Sequence, residues 1–205
     1  MTQPEYLTVL VSIIVGLGVA DLAKSVRDLL HPERSVQWHW LPLVWAVAAV
    51  LMVVAAWWTF FRILQAEIWS SPWAFLLVFV TTLNLYFLCA FALPDLDGPP
   101  DADSSERLEL EVFYFSPSHR RAFFGFVIAF LLSWELIVRV WSVTAGGQPY
   151  GHAIENMVVN GLLFWTPYGI MIFTDRKWVH VLFTGLGVLS LIWLVVGVES
   201  MMGGG

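Results

Sequence analysis

An all-α, polytopic membrane bundle of six transmembrane helices is the fold class this sequence predicts, and three observations predict it. The chain has 205 residues, 59% of them hydrophobic and only 13% charged, whereas a soluble domain carries about 25% charged residues. Its mean hydropathy is +0.75. Its apolar residues also fall in runs of the ~20 that a helix needs to cross a ~30 Å hydrocarbon core, without the period-two alternation of a barrel strand.

The first span is expected at residues 5–24. No basic region precedes it in Met1-Thr-Gln-Pro-Glu-Tyr6, so it is expected to stay in the mature chain. Glu5 and Asp21 are separated by about 22 Å of helix, short of the hydrocarbon thickness, which puts Asp21 a turn or less inside one boundary. Asp21 then reads either as a boundary carboxylate, paired with Lys24 one turn on, or as part of a polar pathway. Beyond it Asp21, Lys24, Arg27, Asp28 and His31 share one helical face, and Leu22, Val26, Leu29 and Leu30 the other, an amphipathic extension. Gly16 and Ala20, four apart, are expected to serve close helix packing. Gly16-Leu-Gly-Val19 is echoed by Gly185-Leu-Gly-Val188 in the last span.

Spans two and three, 41–61 and 73–93, carry no charge; Asn84 falls near the middle of the third, beside Thr81 and Thr82. Residues 95–117 then form an acidic loop and interfacial segment. Asp95, Asp97, Asp101, Asp103, Glu106, Glu109 and Glu111 crowd there, Gly98-Pro-Pro100 makes a turn, and Asp103 with Glu106 reads as a capping pair. The loop is either simply solvated or a docking site for a basic partner or a cation. Residues 108–115 are expected to lie on the membrane surface as a short helix before span four.

Span four, 122–141, contains Glu135 and Arg139 at the favourable i,i+4 spacing. Glu135 follows Arg121 by about 21 Å, roughly a third of the way in from the outer face. Asn160, in span five (153–174), falls at similar depth. Glu135, Arg139, Asn160 and Asn84 are therefore the candidate polar pocket, or else separate interhelical hydrogen bonds worth about 0.6 kcal/mol each. Thr166-Pro167 predicts a helix kink at Pro167. Span six is expected at 178–198.

Lys24, Arg27, Arg34, Arg107, Arg120, Arg121, Arg176 and Lys177 fall in three alternate loops, against Arg62 and Arg139 on the other side. The positive-inside rule places those loops in the cytoplasm and both termini outside. Trp38, Trp40, Trp57, Trp58, Trp69, Trp73, Trp141 and Trp178 fall near span ends, as interfacial indoles do; Trp45, Trp134, Trp165 and Trp193 lie deeper and read as packing. His31, His39, His119 and His180 read as interfacial, and His152 with Glu155 is a weak metal signal. With one cysteine, Cys89, no multi-cysteine metal site exists. No cofactor or catalytic motif is legible, so no enzyme is expected, and a net charge of −6 gives no nucleic-acid surface.

The opening Glu5-Tyr-Leu-Thr-Val-Leu-Val-Ser-Ile-Ile-Val-Gly-Leu-Gly18, Trp45, Trp57-Trp58, Trp73-Ala-Phe75, Pro94 and Tyr114-Phe-Ser-Pro-Ser-His-Arg-Arg-Ala-Phe-Phe124 resemble a family of small uncharacterised multi-span bacterial integral membrane proteins. The resemblance covers residues 5–126, with the acidic stretch 97–103 departing from it. It implies a protein of the bacterial inner (cell) membrane and carries no activity or site residue. Function stays open between a small transporter, channel or ligand-binding protein built on the four polar residues, and a non-catalytic component assembling with membrane lipids, a protein partner or a second copy. A reporter active only outside the cytoplasm, fused in turn to each chain end, is expected to be active at both.

Overall fold

The computed structural model describes residues 3–32, 34–63, 71–96, 107–144, 147 and 149–202, with side chains for these apart from 3, 4, 61–63 and 192–202. Asp97, Asp101, Asp103, Glu106 and Trp69 lie outside the described residues, and Trp193 and Arg62 outside the described side chains. The helices are α1 (Gln3–Leu29), α2 (Trp40–Ile63), α3 (Pro72–Ala90), α4 (Leu110–Phe115), α5 (Pro117–Thr144), α6 (Tyr150–Phe173) and α7 (Lys177–Met202). Five of them, α1, α2, α3, α5 and α6, contain stretches of 25, 21, 19, 28 and 24 residues long and apolar enough to cross a membrane. Helix α7 is apolar over Lys177–Leu191 and continues as helix to Met202.

Helix starts follow local chemistry. Ser71 accepts the Ala74 amide at 3.2 Å and Pro72 opens α3; Ser116 accepts the His119 amide at 3.3 Å and Pro117 opens α5. In both places a serine cap meets an orphan N–H, and the proline sits where no intrahelical donor is needed.

Helix α3 lies at the centre, packed against α1, α2 and α5, while α2 also meets α7. Val78, Thr81, Thr82, Leu85 and Leu88 on α3 are fully enclosed. The two threonines bond back to their own helix, to Leu77 O and Val78 O, so they add no unmet polar atom to the core.

Helix α1 packs against α3 and α2, and its buried residues Leu7, Val11, Val15, Gly18, Leu22, Ser25 and Leu29 form one stripe with spacings of three and four. This corrects the expectation for Gly16 and Ala20, which are both exposed. The residue that permits close packing is Gly18: a Cβ there would stand 3.2 Å from the Tyr86 Cα, a backbone atom, while Gly16 has open space. In the echoed motif the second glycine again does this work. A Cβ on Gly187 would stand 3.0 Å from the Tyr168 hydroxyl, while Gly185 meets nothing.

The loops bearing most of the basic residues gather at one end. Lys24 pairs with Asp95 at 3.1 Å, and Arg34 donates to Leu96 O at 3.4 Å. Val36–Gln37 (β1) and Leu108–Glu109 (β2) form a two-residue parallel ladder, an addition to the all-helical expectation. Lys177 pairs with Glu111, and Arg120 donates to Thr174 O. Helix α4 falls directly before α5, and its Leu110 and Tyr114 are fully buried, so it is tucked into the bundle end by two of its six residues.

Replacing Gly18 with Ala is expected to lower stability by about 1–3 kcal/mol through overpacking against Tyr86. Gly16→Ala is expected to gain up to about 1 kcal/mol from helix propensity. Denaturant unfolding in detergent micelles separates the two.

Candidate functional site

Two polar clusters lie in the helical body. The first joins α5 to α6. Arg139 donates Nε to Glu135 Oε1 at 2.6 Å, with Nη2 at 2.6 Å from the same oxygen. Asn160 adds its amide at 3.0 Å. The i,i+4 spacing places the guanidinium over the carboxylate, and α6 brings the amide from across the interface. Glu135 is 9% exposed. All these donors converge on Oε1; Oε2 carries no hydrogen bond among the described residues.

Asn160 is the last residue before a π turn, Gly161–Trp165, a feature common at functional positions in helices. Trp165 folds back over Gly161, where a Cβ would stand 2.9 Å from the indole. Pro167 follows two residues later. A proline there cannot serve the carbonyl of Leu163, and Leu163 lies inside the widened turn. The irregularity expected at Pro167 is thus spread upstream as a change of helix type.

Asn84 stands apart from the other three. Phe87 of α3 stacks on Phe126 of α5 with ring centres 4.8 Å apart. The two helices run in opposite directions, so Asn84 is nearly level with Ala129, and Glu135 lies about 9 Å further along. No hydrogen bond joins Asn84 to another described residue. Asp21 is also held differently from the sequence expectation. Tyr86 donates its hydroxyl to Asp21 Oδ2 at 2.9 Å, while Lys24 reaches Asp95. The parallel packing of α1 on α3 puts the phenol beside the carboxylate, and Lys24 extends toward the loop.

The second cluster, at the basic end, was missed by sequence reasoning. His180 is fully buried and His119 nearly so, so both are enclosed by the bundle at this end. His180 Nε2 lies 2.9 Å from Thr174 O. A carbonyl only accepts, so Nε2 carries the proton, and Nδ1 accepts the Tyr114 hydroxyl at 3.0 Å. Trp45 donates to Thr184 Oγ1 at 3.0 Å. Burial pushes the Tyr114 phenol well above its usual range, so it remains a donor at neutral pH. Arg120, 7% exposed, donates to the same Thr174 carbonyl; its Nε has no partner among the described residues. Two cationic or polar donors thus close the C-terminal end of α6, where the helix dipole is negative. The available signal was a histidine inside an otherwise apolar helix.

His152 and Glu155 stand 3.7 Å apart on the exposed face of α6. Among the described residues no group of three or more His, Cys, Asp or Glu side chains is placed to hold a metal ion. Compared with known proteins, the chain matches no family model, no curated protein and no solved structure.

Arg139→Leu is expected to lower stability by about 3–5 kcal/mol, the cost of leaving a buried carboxylate without its cation. Adding Glu135→Gln to that variant is expected to recover much of the loss, read by thermal unfolding in detergent. At the other end, the hydrogen bond from Lys177 holds the Glu111 carboxyl below its ordinary range. Its contribution is present above the unfolded value of about 4.3 and disappears as pH falls through the lower folded value. The stability gap between the parent protein and Glu111→Gln is therefore expected to close on acidification.

Proposed function

We propose that this chain is a six-span integral membrane protein of a bacterial cell membrane, both termini outside, acting as a non-catalytic component that assembles with lipids or membrane partners. The five long apolar helices support the membrane reading, with α7 as the sixth crossing. The gathering of the basic loops at one end supports the orientation, by the positive-inside rule. The resemblance of residues 5–126 to small bacterial membrane proteins supports the setting.

The observation that favours assembly is the state of Glu135. Its charge is met by Arg139 and Asn160 of the same chain, and it is largely withdrawn from the surface. A carboxylate working in a transport pathway has to be reached by water or substrate. The second reading, a small transporter, channel or ligand-binding protein, rests on the interruption of α6 at Asn160, since broken helices are where transporters bind substrate.

Thiol accessibility decides between them. With Cys89→Ala as background, Asn160→Cys in intact membranes is expected to resist a membrane-impermeant thiol reagent. Rapid labelling would mean a water-filled path to Glu135, and the transport reading would replace this one.

A further inference from the structure

Helix α6 is the least covered of the long helices, and its course past α5 leaves a groove. That groove, about 320 Å³, is lined by Leu136, Arg139 and Val140 of α5 and by Tyr150, Ile154 and Met157 of α6. A second hollow of about 530 Å³ shares Ile154 and Met157 and continues over Gly161, Leu162 and Trp165 to Thr166. Both volumes fall in or near the range of small-molecule sites. The shared residues make one track along α6. From Tyr150 to Thr166 it runs about 24 Å, longer than one leaflet, which is roughly half of a ~30 Å core.

The track is mostly apolar, with the hydroxyls of Thr144 and Tyr150 at one end and of Thr166 at the other. Among the described residues, Arg139 is the only charged one lining either hollow. Its Nε and Nη2 face Glu135, while Nη1 has no partner among the described residues. Arg139 lies five residues before the end of α5 at Thr144, about 7.5 Å from it, which is headgroup depth if α5 crosses a bilayer. Thr144 and Tyr150 stand at the same mouth. A cation with an open donor at headgroup depth, above a chain-length apolar track, is complementary to a phosphate that carries an acyl chain. An apolar partner helix would cover the track but leave Nη1 unmet.

Resting on the membrane reading above, we propose that the α5–α6 groove holds one phospholipid of the surrounding bilayer, its headgroup phosphate on Arg139 and one acyl chain along Ile154, Met157 and Leu162. At its headgroup end the ligand lies between α5 and α6, and its chain then follows the face of α6, unlike the lipids that merely surround the bundle.

Native mass spectrometry of the detergent-released protein with added phosphatidylglycerol tests this. The parent protein is expected to keep one phospholipid. Met157→Trp fills the groove with the Glu135–Arg139–Asn160 cluster intact. The pair Glu135→Gln and Arg139→Gln removes the cation without stranding the acid. Each is expected to lower retention about tenfold or more, the value of a charge-assisted hydrogen bond or of lost groove volume. Leu189→Trp, on an exposed face of α7, is expected to change nothing. Circular dichroism and size exclusion show that each variant is folded. Equal retention in all folded variants overturns the proposal. So does retention of a free fatty acid in place of a phospholipid, or a dimer that Met157→Trp dissociates. A parent protein that stays dissolved without detergent overturns the membrane reading itself, a separate failure.

Discussion

Polar groups withdrawn from water are costly unless other polar atoms meet them, and this constraint shapes how the helices are joined. In a hydrocarbon slab no solvent is at hand to substitute. At one end the Thr174 carbonyl, left open where α6 stops, receives both His180 and Arg120. His180 in turn accepts Tyr114, which fixes α4 against α7. At the other end Glu135 is met from its own helix and from α6. Between them Tyr86 ties α3 to α1 through Asp21. Apart from the Arg139–Glu135 contact within α5, each of these contacts links different elements, so polar satisfaction and tertiary arrangement are closely coupled here.

Apolar packing fills in around those ties. Trp45, 2% exposed, sits edge-on to Phe123, Phe124 and Tyr168 while its N–H serves Thr184. Such edge contacts suit the ring quadrupole, and the indole fills a space where α2, α5, α6 and α7 approach. Gly187, with the Tyr168 hydroxyl 3.0 Å from where a Cβ would be, lets α7 come close enough to close that space. Gly18 does the same for α1 over Tyr86. In both cases a tyrosine on one helix is matched by the absence of a side chain on its neighbour.

Helical segments were legible because apolar length alone reports them, and the Glu135–Arg139 contact because i,i+4 spacing dictates it within one helix. The contribution of Asn160 was legible as depth but not as direction: two residues at the same depth meet only if their faces turn toward each other. Asn84 shows the other outcome, since its register on α5 falls at Ala129. Gly16 and Gly18 look alike in sequence, and only the packing stripe through Val11, Val15 and Leu22 tells them apart. The Tyr114–His180 and Trp45–Thr184 hydrogen bonds are long-range in sequence, set by the meeting of α4 and α2 with α7, and no local pattern announces them. The two-residue ladder of β1 and β2 is likewise a product of where the loops end.

A π turn carries one residue more than the α-helical turn it replaces. Seen this way, Gly161–Trp165 acts as a phase adjuster. Each residue added to or taken from a helix rotates everything beyond it by about 100°. Excising one residue there, and so restoring ordinary winding, would swing Asn160 off its carboxylate and carry Ile154 and Met157 around with it. The N-terminal half of α6 therefore keeps its azimuth through a deliberate misfit in winding. Insertions and deletions in this short segment should be far less tolerated than substitutions along the rest of its exposed face.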